Sequence, residues 1–427
     1  MPIPNSNVYK EMEMKKYASF ALVVGPLLTP YYFPGTTIPL ENFFILFNIL
    51  LLVCYNKFRP VYYMPKGYLL FFIYALFAPV LGLLFYRNFN SFISSYVSII
   101  LFTLSFLLFI PHLDYNLIKR YYKVCVLFVS TIFVIQELMF NLVGYRFSAL
   151  IPFIPVRYSY VDTAEFIAKQ MVAPRSQSVF LEPSHLAQFL LGYLAILLGE
   201  NIQKNKLLSF STLGLSLLLL LTWSGNGILL TLLLWIVFFV MIRMNPIKKY
   251  FVIVPLLLIV IFISLQYFSS TEKGEEVMAR TEELDVEQEH LSSGAIRIYR
   301  GYFVFGAMPF VEKVTGVGSG TTGDVIEHSP FYFLFYDFER YLNNIQMLLV
   351  GYGLVGTLLF GLFLKDLIKC RNPIALMCVL LFIGMCFIEY FWGSVKMILY
   401  LAIPSMLCFN FMKAKNGKDY ADIGHSS

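Results

Sequence analysis

The chain has 427 residues, of which 58% are hydrophobic, 18% aromatic and only 14% charged, with a formal net charge of +6. Apolar runs of roughly 17 to 25 residues recur along nearly its whole length, which excludes a soluble globular domain and predicts a polytopic helical membrane protein. Runs such as Leu207 to Leu221 and Phe251 to Leu265 are apolar on every side, and the short alternating strands of a lipid-spanning barrel are absent.

Hydropathy predicts about 12 spans. They lie near residues 17–33, 40–55, 67–86, 92–111, 121–144, 178–198, 207–221, 226–243, 250–267, 342–364, 374–391 and 395–411. Lys15, Lys16, Lys57, Arg59, Lys119, Arg120, Lys204, Lys206, Lys248, Lys249, Lys365, Lys369, Lys413 and Lys415 then fall on one side. By the positive-inside rule that side and both termini are cytoplasmic. Residues 1–427 read as a single integral membrane domain, with extracytoplasmic loops at 145–177 and, between spans 9 and 10, at 268–341. The positive charge is accounted for by cytoplasmic loops facing anionic head groups, so membrane lipids are partners and nucleic acid is not. Residues 1–16 are polar, and the first apolar run reads as a retained span.

The six cysteines lie in spans or cytoplasmic turns, and the five histidines lack the spacing that puts ligands on one helix face, so no metal or other cofactor is expected. In the first outer loop, Asp162 and Glu165 have capping-box spacing before an amphipathic stretch that Pro174 ends. This predicts an interfacial helix, either a plain surface helix or one that shapes a substrate entrance.

Residues 175–185 carry Arg175, Glu182 and His185 to the mouth of the sixth span. Pro183 suits the first helical turn, which makes Glu182 and His185 neighbours at i and i+3. A carboxylate beside an imidazole suits a group that accepts a proton from a hydroxyl, and it equally suits an ion pair anchoring a helix end.

The second outer loop opens with an acidic run from Thr271 to His290, read as a solvated face. From Ser293 the pattern becomes helical: Ile296, Tyr299 and Phe303 form a stripe, and Arg297 and Arg300 project from its border. Two guanidinium groups so placed can hold a diphosphate; they can also pair with nearby acids or head groups. Gly316 to Gly323 can be a flexible turn between outer helices, the favoured reading, or a phosphate cradle, which its lack of a Walker pattern disfavours. His328 to Asn344 interleaves aromatic residues with Asp337, Glu339, Arg340, Asn343 and Asn344, the composition of either a sugar-binding surface or an aromatic belt.

Three segments resemble the bacterial O-antigen polymerase and ligase superfamily. They are Arg175 to Leu190 with its Glu-Pro-Ser sequence, the succession Ser293-Gly294, Arg297, Arg300 and Gly316 to Gly320, and Asn343 to Gly356 with Leu348, Gly353 and Gly356. The resemblance implies a GT-C-like, all-α fold and a metal- and nucleotide-independent glycosyltransferase of the cytoplasmic membrane. Its reaction would move a growing glycan from undecaprenyl diphosphate to a hydroxyl of another carrier-linked repeat unit on the outer face. The carrier-linked oligosaccharide is the expected partner, with a chain-length regulator as a further one.

In that scheme Arg175, Arg297 and Arg300 bind the diphosphate, and Glu182, His185 and His328 serve the acceptor hydroxyl. Asp337, Glu339, Arg340, Asn343 and Asn344 hold glycan. Leu342, or Asn343 in a register shifted by one, stands where ligase-like members carry His, and Trp223 to Gly227 lacks the Arg of the related family turn. A ligase of the same superfamily and a polyprenyl-linked oligosaccharide flippase are the alternatives. Charge-poor span centres and one long outer loop favour the enzyme over the transporter.

Overall fold

A computed structural model describes residues 6–36, 38–55, 64–157, 163–172, 175–243, 293–335 and 342–423. The expected span at 250–267, the acidic run from Thr271 to His290, and Asp162, Pro174, Asp337, Glu339 and Arg340 lie outside the described residues. Among these the chain is helical, with α1 (Ser6–Val24), α2 (Leu40–Tyr55), α3 (Lys66–Tyr86), α4 (Phe89–Phe109), α5 (Tyr115–Val143) and α6 (Thr163–Val172) in its first part. Then come α7 (Pro183–Gln203), α8 (Phe210–Leu221), α9 (Gly225–Met241), α10 (Ser293–Ala307), α11 (Phe310–Thr315) and α12 (Thr322–His328). The last three are α13 (Asn344–Ile368), α14 (Pro373–Cys386) and α15 (Val395–Ile423).

Six helices among the described residues are long and apolar enough to cross a membrane, namely α3, α4 with its extension to His112, α5, α7, α13 and α15 to Lys413. Four shorter apolar helices, α2, α8, α9 and α14, accompany them. Phe77 on α3, Phe128 and Leu142 on α5, Val240 on α9 and Leu358 on α13 are exposed. Water would make such faces costly and lipid does not, so the chain is a multi-pass membrane protein.

The first expected span is displaced: α1 begins at Ser6 among charged residues and gives way to a 3-10 turn, Gly25–Leu28, at Pro26. Proline has no amide to continue an α-helix and clashes with the preceding turn. Side chains set the other boundaries. Asn88 and Asp114 accept hydrogen bonds from the amides of Ser91 and Leu117 (3.2 and 3.0 Å) at the starts of α4 and α5, and Gly144 ends α5 in a left-handed conformation.

The core is built around α7, which packs on α5, α8, α9 and α14, while α13 packs on α3 and α14 on α15. The helix termini sort into two ends. At one, Glu200 of α7 takes Lys119 at 2.6 Å and Lys204 at 3.5 Å, and Asp366 takes Lys369 at 2.7 Å and the Gly67 amide at 3.1 Å. We refer to this as the basic end. The other carries the starts of α4, α7, α9, α13 and α15.

Helix α13 is broken at Gly353 (φ 64°, ψ −171°), and the glycine-rich segment fills the break. The amides of Val317 and Gly318 both donate to the Gly351 carbonyl, at 3.0 and 2.6 Å, and the Gly320 amide donates to Ser95 Oγ at 2.7 Å. Gly316 to Gly320 is therefore a buried wedge between α3, α4 and α13 rather than a flexible turn. A Cβ at Gly353 would collide with the Val314 carbonyl, and one at Gly316 with the Tyr352 backbone.

Gly353→Ala therefore strains both backbone and packing, and should cost on the order of 1–3 kcal/mol. Gly361→Ala, exposed on the same helix with nothing near its Cβ, should be neutral or slightly stabilising. Thermal unfolding in detergent compares the two; equal midpoints would remove the wedge's structural role.

Candidate functional site

The chain between α5 and α7 is fastened to α5 before it reaches Glu182. Arg146 is buried, its guanidinium on the Phe140 ring at 3.7 Å, paired with Glu137 at 3.0 Å and donating from Nε to Ser176 Oγ at 2.7 Å. Burial pulls this guanidinium below the ordinary arginine range, and Glu137 offsets that. Glu137 also accepts from the Ser176 amide at 3.2 Å. Ser178 sits in the left-handed region (φ 54°), its amide donating to Gln136 Oε1 at 2.9 Å and its hydroxyl to the Val129 carbonyl at 2.8 Å. A left-handed serine is strained, and these bonds hold it there.

This latch delivers Arg175 and Glu182. Arg175 is half-buried and donates to the Trp223 carbonyl at 3.2 Å, where Trp223 is itself left-handed (φ 51°) in the α8–α9 turn. Glu182 is extended (φ −141°, ψ 152°) and stands just before α7 without a side-chain cap hydrogen bond, with Pro183 in the first turn. It thus precedes the helix, which begins later than the expected residue 178 because proline needs no intrahelical partner and disfavours helix before it. The Glu182 carboxylate accepts from Ser184 Oγ at 3.0 Å, and Glu182, Ser184 and His185 are all half-buried.

A second set of residues joins this corner. Asn226, just past Trp223, donates to Glu389 Oε1 at 3.0 Å, and the Glu389 carbonyl accepts from the Asn344 amide at 3.0 Å. Asn343 and Asn344 are buried and fully engaged: Asn343 caps α13 in a reciprocal pair with Gln346 and donates to the Phe387 carbonyl at 2.9 Å. The Asn344 side chain accepts from the Phe391 amide at 3.0 Å. Their amides bind the α14–α15 loop, the role the structure gives these two residues of the expected glycan-binding set.

Helix α10 lies against the start of α13, with Gly301 so close that a Cβ would meet Gln346 Cδ at 2.5 Å. Its buried face is Arg300, Gly301 and Val304, while Tyr299 and Phe303 are exposed. The aromatic stripe therefore looks away from the protein and the arginine looks in. Arg297 lies one turn earlier on α10, its side chain outside the described residues. His328 does not join this corner: its Nδ1 lies 2.7 Å from the Asp324 carbonyl and its ring packs edge-on against Tyr86, which holds it at the junction of α3 and α12. Helix α6 docks through Phe166 on a small cluster with Tyr31, Leu150, Val156 and Leu181.

Sequence reading missed the densest part of the site. Lys396, the second residue of α15, is 9% exposed, and its Nζ donates to Gln188 Oε1 at 3.1 Å. Its charged neighbours are Glu389, Glu41, Glu182 and Arg157. Glu41, at the start of α2, is buried, pairs with Arg157 at 2.6 Å and accepts from the Val395 amide at 3.4 Å. The signal was present: an ionisable residue just inside an apolar run, as Lys396 is, marks a site by default.

Chemically, this end carries half-buried Arg175, Glu182 and His185, and buried Arg300 and Glu389. Such a set can stabilise a departing anion and accept a proton. Among the described residues no group of three His, Cys, Asp or Glu could hold a metal ion, and all six cysteines are free thiols.

Arg146→Ala should release the latch, destabilising the protein by roughly 2–4 kcal/mol, because it strands Glu137 and Ser176 in a buried setting. Limited proteolysis should then cut near Ser176 at least ten times faster, about the population change 1.4 kcal/mol produces; an unchanged cleavage rate would contradict the latch.

No protein-family model matches the chain, and none of the curated proteins compared with it is similar to it.

Proposed function

We propose that the protein is a polysaccharide polymerase: it transfers a growing glycan from undecaprenyl diphosphate to a hydroxyl of another carrier-linked repeat unit on the outer face of the bacterial cytoplasmic membrane. The observation that supports the reading is that Arg175, Glu182 and His185 sit at the same helix end as α10 with Arg300, the two linked by a relay of contacts through Trp223, Asn226, Glu389 and the start of α13. That end lies opposite the lysines paired to Glu200 and Asp366. Taking the basic end as cytoplasmic puts this corner outside and both termini inside. The complete chain then has about 12 spans in a GT-C-like arrangement.

In the reaction, the acceptor hydroxyl oxygen forms a bond to the anomeric carbon while that carbon's bond to the diphosphate oxygen breaks. Glu182, with His185 one turn into α7, accepts the hydroxyl proton. The leaving polyprenyl diphosphate gains charge as the bond breaks, and Arg175 and Arg300 stabilise it, with Arg297 on the same helix. No nucleotide is needed, because the diphosphate is the leaving group. Leu342 is buried where ligase-like members carry His, which favours polymerisation over ligation.

Glu182→Ala and His185→Ala should each lower polymer formation by about 100-fold or more, the usual contribution of a positioned base, while single-repeat product accumulates. Glycolipid profiles of strains carrying normally expressed variants measure this. Unchanged chain length and yield in both would sink the assignment.

A further inference from the structure

Two of the six thiols meet at the basic end, away from the corner just described. Cys370 lies in the turn between α13 and α14, and Cys408 lies on α15. Both thiols donate to the same acceptor, the Leu367 carbonyl near the end of α13, at 3.0 Å from Cys370 and 3.2 Å from Cys408. Both residues are buried, Cys408 more deeply than Cys370. Segments that are distant in sequence thus bring two sulfurs onto one oxygen, where a turn about each side chain points one sulfur at the other.

Each thiol has a single proton, so Cys408 gives its own either to the carbonyl or to the Cys370 sulfur. The second choice favours a thiolate at Cys370. That hydrogen bond brings the Cys370 thiol down to about 7, against the opposing effect of burial. A buried cysteine that serves packing alone is inert, whereas the thiolate is the nucleophile and the form that oxidants attack.

We propose that Cys370 and Cys408 form a redox modification site, a dithiol that hydrogen peroxide closes to a disulfide, stapling the α13–α14 turn to α15. The Cys370 thiolate sulfur attacks one peroxide oxygen, the O–O bond breaks and hydroxide leaves, which gives a sulfenic acid at Cys370. The Cys408 sulfur then attacks the Cys370 sulfur, the S–O bond breaks, and the departing hydroxide takes the Cys408 proton as water. Two electrons pass from the thiols to the peroxide, which ends as two waters once the proton lost by Cys370 is counted. With the basic end cytoplasmic, the pair rests reduced, since disulfides in that compartment form transiently. The inference is independent of the glycosyl-transfer reading, because neither cysteine belongs to that corner.

The test uses the full-length protein in detergent, treated with hydrogen peroxide, alkylated with N-ethylmaleimide, digested and read by mass spectrometry. Wild type should yield a peptide cross-linked between Cys370 and Cys408 that a reductant separates. Cys408→Ser keeps a hydrogen-bond donor but has no second sulfur, so oxidation should stop at a sulfenic acid on Cys370, trapped by dimedone. Cys408→Ala removes the donor as well, and at pH 7 should slow alkylation of Cys370 about tenfold, as its thiol returns toward the ordinary value of roughly 8.5. The wild-type measurement stands whether or not either variant folds. Absence of the cross-linked peptide in wild type, or its joining Cys370 to a different cysteine, would overturn the inference, as would equal alkylation rates of Cys370 in wild type and Cys408→Ala.

Discussion

Glu389 carries two connections on which the site end depends. Its carboxylate binds Asn226 of α9 and its main-chain carbonyl binds the first amide of α13. In lipid an unsatisfied helix start costs several kcal/mol, so every terminus there must find a partner inside the protein. The α14–α15 loop supplies them: Phe387 and Phe391 bind Asn343 and Asn344 as Glu389 binds Asn226. Helices that are distant in sequence thereby end at one level, and the charged groups that share that level become a site.

The same economy explains why the polar residues split between duties. Asn343, Asn344 and Gln346 are buried and engaged in capping and loop contacts, whereas Arg175, Glu182 and His185 keep partial exposure. Strained backbone occurs here too: Ser178 and Trp223 are left-handed, and Trp223 accepts the Arg175 hydrogen bond. Backbone held in such conformations by many bonds is characteristic of positions where placement matters more than stability.

Much of this was legible in the residues, for local reasons. Apolar runs give spans, Pro183 marks the start of α7, and the Ser293 segment reads as a helix because these signals act within a few turns. Boundaries still shifted by a few residues, at Pro183 as at Asn343. What could not be read is what depends on packing. The glycine-rich segment looks like a loose turn until the break at Gly353 receives it, and the exposed side of α10 is its aromatic one because lipid or interface, not core, takes that stripe. Lys396 and Gln188 stand 208 residues apart, and no periodicity links them.

The central claim is that this helix end performs glycosyl transfer rather than passage of its substrate across the bilayer. The most direct measurement reconstitutes the purified protein in liposomes with carrier-linked repeat unit, without nucleotide, and follows both product length and the leaflet occupied by the carrier. The account predicts a ladder of lengthened, carrier-linked glycan formed from repeat units already on the site side. Movement of the carrier-linked repeat between leaflets with no lengthening would contradict it.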